Sequence, residues 1–496
     1  MIGAVIIVSI YMLCLLLIFG YALIQLNLTI NYICFKKRKK KNTITELTID
    51  HELPFVTIQL PVYNERYVME RLLKCVAELD YPSEKLEIQV LDDSTDESFN
   101  NTALHIKSLQ KTGLDIQHIT RKDRKNFKAG ALKEGLKIAK GEFIAIFDAD
   151  FLPKPNWLKL VVPHFESEEI GVVQTRWGHL NRDYSLLTKA QAFALDYHFS
   201  VEQVGRNSKG HFINFNGTAG IWRKTCIFDA GNWQGDTLTE DLDLSYRAQL
   251  NGWKIHYVEE IIAPAELPIA ISAARSQQFR WNKGGAENFR KTIGAVFRSK
   301  RLSFRSKLHA TFHLLNSSVF LAILVLAILS VPLLFIKAYF PQLNFVFHLM
   351  GFFILSTLIF MFCYWTSYKQ THGKSFQSFI SFLGLFFVFF AIAIGLSWNN
   401  ALAVLEGHLG KKSAFIRTPK FNVSSLKDQW KNNTYIQSKD RAKLVVEGLL
   451  ILYFLIGIIA AFTLHADSIE IVMLPFHILL FLGFSYVFVQ SLVQRN

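Results

Sequence analysis

Residues 3–26 form an almost unbroken apolar run, long enough to cross a hydrocarbon layer of about 30 Å. A basic block, Lys36-Lys37-Arg38-Lys39-Lys40-Lys41, follows at once. Charge behind the apolar core predicts a retained span with its basic end inside, since a cleaved leader carries its charge in front. From about Glu52 to Lys307 the pattern changes to short apolar runs alternating with amphipathic stretches. Phe55–Leu60, Leu86–Leu91 and Gly141–Phe147 read as buried parallel strands, with helix-sized segments such as Glu65–Leu79 and Ala129–Ala139 between them. Each strand runs into a polar cluster, and in an open α/β sheet ligands bind at the carboxyl ends of strands.

Five further apolar stretches follow, near 312–336, 345–365, 378–398, 444–464 and 469–490. If the first three all cross, the loop from Asn399 to Lys443, with nine Lys or Arg residues, emerges opposite the sheet domain. Basic loops stay inside. The conflict is resolved if one stretch, 378–398, lies in the interface, which leaves five full spans, or six if it crosses. The expected layout is a span at 1–30, a basic linker at 31–50, an α/β domain at 51–307, spanning and interfacial helices at 308–398, a basic loop at 399–443 and a spanning hairpin at 444–496.

Composition sharpens this picture. A chain 51% hydrophobic with 43 phenylalanines is too apolar for a soluble protein. The net charge of +14 gathers beside apolar runs rather than along a phosphate-tracking stripe, so nucleic acid is not an expected partner. Cys14, Cys34, Cys75, Cys226 and Cys363 are scattered without metal or disulfide spacing.

Candidate chemistry sits at the strand ends. Asp92-Asp93-Ser94-Thr95-Asp96 reads equally as a turn and as carboxylates able to hold a base or ribose. Asp148-Ala149-Asp150 places two carboxylates together at the end of an apolar strand, a repulsion that a hard divalent ion shared with substrate phosphates would relieve. Thr239-Glu240-Asp241 opens a helix; acidic first-turn residues are favourable in themselves, and one of them is also a candidate general base. Lys128, and Arg280 within Gln277-Gln-Phe-Arg-Trp281, suit diphosphate oxygens.

In order, Pro61-Val-Tyr-Asn64-Glu, Leu91-Asp-Asp93-Ser, Lys128-Ala-Gly, Asp148-Ala-Asp150, Thr239-Glu-Asp241 and Gln277-Gln-Phe-Arg280-Trp281 resemble the family 2 glycosyltransferases of the cellulose-synthase-like kind, most of all the glucomannan-synthase-like branch and its bacterial relatives. The resemblance implies an α/β GT-A glycosyltransferase domain, a Rossmann-like mixed sheet, between transmembrane helices. It implies inverting transfer of a hexose from UDP-glucose or GDP-mannose to a growing β-linked polysaccharide. Asn64, Asp92, Asp93, Lys128, Asp148, Gln277 and Arg280 would then bind the donor, and Asp148 and Asp150 would hold Mg²⁺ or Mn²⁺. Asp241 would be the base, with Asn216, Gly217, Thr218, Glu240 and Trp281 on the acceptor side, where an indole face can stack on a pyranose. Phe421, Val423 and Ser424 resemble a gating loop, although Ser424 and Leu426 stand where the pattern has threonine and lysine. Expected partners are the donor, a glycan or lipid acceptor, the bilayer and export partners. The catalytic domain would face the cytoplasm, at a bacterial inner membrane. Competing expectations are transfer of one sugar to a membrane lipid, as in ceramide glucosyltransferases, and a non-catalytic scaffold or transporter.

Overall fold

The computed structural model describes residues 1–39, 53–423, 428, 434–435, 441–464 and 470–493. Seven strands make one mixed sheet: β1 (Val56–Val62), β2 (Leu86–Asp92), β3 (Ile116–Thr120), β4 (Phe143–Ile146), β5 (Ile170–His179), β6 (Gly220–Arg223) and β7 (Lys254–Ala265), in the order β3-β2-β1-β4-β6-β5-β7. β1 pairs in parallel with β2 on one side and β4 on the other. The order therefore switches direction at β1, and the loops leaving β1 and β4 diverge into a crevice. The predicted strands correspond to β1, β2 and β4, and the predicted helices to Met69–Ala77 and Phe127–Ile138.

Burial on both faces accounts for the near-continuous apolar runs. Val56, Ile58, Leu60 and Val62 pack with Leu72, Leu73 and Val76 on one face. On the other, Ile144, Ile146 and Leu91 meet Leu132 and Leu136. The polar residues of the central strands pair with one another, Thr57 Oγ1 donating to Glu87 at 2.6 Å and Gln59 Nε2 to Gln89 at 3.0 Å. Helix Phe127–Ile138 can lie this close because of Gly135, where a Cβ would fall 2.6 Å from Gln59 Nε2 and Leu91 Cδ2.

Among the described residues, six helices are long and apolar enough to cross a membrane: Ile2–Lys39, Asn316–Tyr339, Pro341–His372, Phe376–Gly395, Arg441–Thr463 and Met473–Val493. The first continues past residue 30 into the basic block, where Lys36 and Lys39 reach Glu259 and Glu260 of β7, each at 2.7 Å. Helix Phe376–Gly395 lies along Leu186–Tyr197 of the sheet domain: Phe382 and Phe386 surround Phe193, and Ile392 packs on Leu187. The 28-residue helix Ile271–Arg298 joins the two parts of the molecule, through Arg275 to Glu447 at 2.6 and 2.7 Å and through Lys283 to Glu406 at 3.0 Å.

Candidate active site

A cavity of about 150 Å³ opens where β1, β2 and β4 end. Of the residues expected from sequence, Asp93, Lys128, Asp148, Asp150, Asn216, Gly217, Glu240, Asp241, Gln277, Arg280 and Trp281 line it. Helix Ile271–Arg298 brings Gln277, Arg280 and Trp281 to strand ends more than 100 residues away in sequence.

Asn64, Asp92 and Thr218 do not reach the cavity wall and act behind it. Asn64, in the left-handed region at φ 55°, cross-links two loops: its N–H donates to Ser94 Oγ at 2.8 Å and its Oδ1 accepts from Thr95 N–H at 2.9 Å. Asp92 is fully buried, Oδ1 accepting from Ser94 N–H at 2.8 Å and Oδ2 lying 2.9 Å from His118 Nε2. One oxygen holds the β2 turn and the other faces His118 of β3, so the side chain points away from the cavity. Thr218 Oγ1 accepts from Asp148 N–H at 2.9 Å and so sets that residue's backbone.

Asp93 is gripped by Arg121, whose Nε donates to Oδ1 at 2.8 Å while Nη2 donates to Oδ2. Lys128 Nζ donates to Asp148 Oδ1 at 2.5 Å and to Gly217 O at 2.8 Å. Burial works against the lysine's charge, but Asp148 first and then Glu240 hold its pKa above the ordinary value. Asp150 Oδ2 accepts from Lys420 Nζ at 2.7 Å, while its Oδ1 is buried and has no hydrogen-bond partner among the described residues. An orphaned carboxylate oxygen beside Asp148 fits a divalent cation. Among the described residues no group of three or more acidic, His or Cys side chains could hold a metal unaided, so the ion would complete its shell with diphosphate oxygens.

Asp241 stands in the first turn of helix Glu240–Asn251, with Oδ1 accepting from Leu242 N–H at 2.9 Å. Burial, and then the neighbouring Glu240, push its pKa well above the usual carboxylate range against the pull of Lys128. Raised basicity beside the cavity suits a group that must take a proton. Gly217, at φ 78°, leaves room for it: a Cβ there would fall 3.0 Å from Asp241 Oδ2.

Several residues here were given no role from sequence, Tyr63 and Glu65 among them although both lie in the first motif. Glu65, pushed up to about 7 by burial despite Arg417 and Lys420, pairs with Arg417 at 2.6 Å. Arg124 lies 3.3 Å from the Tyr63 ring centroid, and Phe415 stacks on Phe127 beneath Arg280. Glu266 accepts from the backbone N–H of Phe421 at 2.8 Å and of Val423 at 3.3 Å. Segment 415–423 is thereby docked at the cavity mouth, with the Phe421 and Val423 side chains packed on Ile269, Ala270 and Ala273. Ser424 lies outside the described residues.

A second cavity of about 400 Å³ shares Asn216, Asp241, Gln277 and Trp281 with the first. It continues between membrane helices, past Tyr21 and Gln25 of the first, Phe320, Tyr364 and Ile392.

The model of the "Glycosyltransferase like family 2" family matches residues 54–284. Glucomannan 4-beta-mannosyltransferase 1 of Oryza sativa subsp. japonica is 41% identical over 265 residues, 52% of this chain and 51% of its own length. Glucomannan 4-beta-mannosyltransferase 2 of Arabidopsis thaliana is 40% identical over 288 residues, 56% of this chain and 54% of its own. The chain thus spans about half the length of the curated relatives it matches. Among solved structures, a mannosyltransferase from Pyrobaculum calidifontis in complex with GDP-Man and Mn²⁺ aligns with a TM-score of 0.49 and 20% identity, over 71% of this chain and 98% of its own. The two glucomannan mannosyltransferases are plant proteins, and the expected bacterial inner membrane finds no support among them. Sheet topology and cavity residues agree with the sequence match: over residues 54–284 the chain is similar to the family 2 glycosyltransferases.

Proposed function

We propose that this protein transfers mannosyl units from GDP-mannose, with inversion, onto a growing β-linked glycan at the membrane. The observation that carries the reading is that the two cavities share a wall: the strand-end site with its acidic and basic groups has Asp241 and Trp281 in common with a second cavity lined by membrane helices. A product that lengthens by repeated transfer needs a passage between such helices. The names of the plant relatives favour mannose and a glycan acceptor over a lipid.

Lys128 and Arg280 would meet the diphosphate, with Asp93, held by Arg121, toward the nucleoside. Asp148 and Asp150 would hold Mg²⁺ or Mn²⁺, which when bound neutralises charge developing on the leaving diphosphate. Asp241 takes the proton from the attacking acceptor hydroxyl, and Trp281 offers its face to the acceptor ring. Segment 415–423, paired through Arg417 to Glu65 and through Lys420 to Asp150, covers the donor and serves as a gate.

Contact of that segment with the site supports a place for residues 411–423 on the catalytic side of the membrane. The three apolar helices between 316 and 395 then cannot all cross. Helix Phe376–Gly395, lying along Leu186–Tyr197, is the one assigned to the interface, with the catalytic domain cytoplasmic.

The deciding experiment incubates purified protein in nanodiscs with labelled GDP-mannose, UDP-glucose or UDP-N-acetylglucosamine and resolves products by size. Long alkali-stable chains from GDP-mannose are expected. Short, solvent-extractable material alone would overturn the glycan reading, and turnover of UDP-glucose alone would overturn the donor.

A further inference from the structure

The wall of the second cavity carries a polar chain that no motif accounts for. Between helices Leu186–Tyr197 and Gln203–Asn207 the backbone makes one π-helical turn, His198–Glu202. Such turns are rare and recur at functional sites. The turn puts His198 Nδ1 2.7 Å from Glu202 Oε2. The other Glu202 oxygen accepts from Nε2 of Gln25 at 2.5 Å, and Gln25 Oε1 in turn accepts from Tyr197 O–H at 2.9 Å. Gln25 is 1% exposed and belongs to the first membrane helix. A polar side chain inside such a helix is costly, and marks function more often than packing.

A purely structural cluster would close on itself. This one ends at the cavity wall: His198 and Asn216 both line it, joined by a hydrogen bond of 3.3 Å between His198 Nε2 and Asn216 Oδ1. Because Glu202 takes Nδ1–H, its hydrogen bond fixes the ring's orientation, and Nε2 keeps only the longer contact to Asn216, which an acceptor hydroxyl can bridge or replace. Asn216 directly precedes Gly217, the residue against which Asp241 lies. Ring and amide therefore form a paired polar face beside the base, on the side from which an acceptor comes.

We propose that His198, with Asn216, hydrogen-bonds hydroxyls of the acceptor's terminal sugar, and that Glu202 and Gln25 are positioning residues that hold the ring in place. The first membrane helix thus contributes to acceptor recognition as well as to anchorage. This rests on the glycan-synthase reading above.

The test measures initial rates for the full chain in nanodiscs, with GDP-mannose and mannohexaose each varied against saturation of the other. His198→Ala should raise the acceptor KM about ten-fold, the value of one lost hydrogen bond of ordinary strength. Gln25→Leu should raise it less, donor KM should hold in both, and His198→Gln, which keeps a polar end, should recover part of the loss. Acceptor KM unmoved in His198→Ala and Gln25→Leu would overturn the assignment, as would donor and acceptor constants shifting together. Mannohexaose binding without donor, followed through tryptophan fluorescence, separates the two levels. If wild-type protein binds the oligosaccharide but turns over no GDP-mannose, the donor reading fails, and weaker binding by His198→Ala still supports this one. If it does not bind mannohexaose, both fail.

Discussion

Gly217→Ala tests whether Asp241 must stand where it does. At φ 78° a Cβ is strained, which costs about 1–2 kcal/mol. It would also lie 3.0 Å from Asp241 Oδ2 and 3.5 Å from Lys128 Nζ, so the carboxylate has to give by a few tenths of an ångström. Since about 1 Å of misplacement costs on the order of a hundred-fold in rate, a shift of that size should cost about ten-fold in kcat. Gly113→Ala is the matched control: its φ is 89°, and nothing lies within 4 Å of the added carbon. Both variants should lose similar stability, read by thermal unfolding in the same nanodisc, and only Gly217→Ala should lose turnover, read as GDP release with acceptor present. Turnover kept in both variants would refute the placement of Asp241 as the base, and turnover lost equally in both would show that strain alone carries the effect.

Asp241→Asn should lower kcat by roughly a hundred- to ten-thousand-fold with GDP-mannose affinity kept. In the native enzyme, which needs Asp241 ionised, kcat/KM should fall on the acid side at a pH well above the ordinary aspartate range, because burial and Glu240 raise that pKa; Asn should abolish this limb. Lys420→Met frees Asp150 Oδ2 from an ammonium 2.7 Å away, and Mn²⁺ titration in the presence of GDP should show tighter binding by about ten-fold, the effect of roughly 1.4 kcal/mol. Unchanged or weaker binding would mean that Lys420 does not compete with the metal. Glu447→Leu strands the Arg275 guanidinium between helices and should cost about 3–5 kcal/mol of stability, with the double variant Arg275→Met/Glu447→Leu recovering most of it in the same unfolding assay.

β1, β2 and β4 were legible because strands covered on both faces are apolar throughout. β5 and β7 were not: Arg176 and His179, or Glu259 and Glu260, interrupt their runs, and the β5–β7 pairing slips register near both sets. β6, four residues long, carries too little pattern to stand out. The acidic groups of the site were readable because carboxylates at strand ends have few other reasons to cluster. Their counter-charges were not, since Arg121, Arg417 and Lys420 sit in polar stretches where basic residues are ordinary. Asp92 shows the converse: a motif neighbour of Asp93 that the pleat turns inward, onto His118.

The ion pairs between Lys36 or Lys39 and Glu259 or Glu260 join segments more than 200 residues apart at the sheet's outermost strand. During synthesis the first helix enters the membrane long before its partners exist. β7 cannot dock until residue 260 has left the ribosome, and β5 waits for it with that neighbour missing. Contacts of such sequence separation form late and slowly. The order of assembly is thus written into the join: the anchor is made first, the sheet is finished against it last, and a chain interrupted before β7 would leave a half-built sheet tethered at the bilayer with its edge open to other strands.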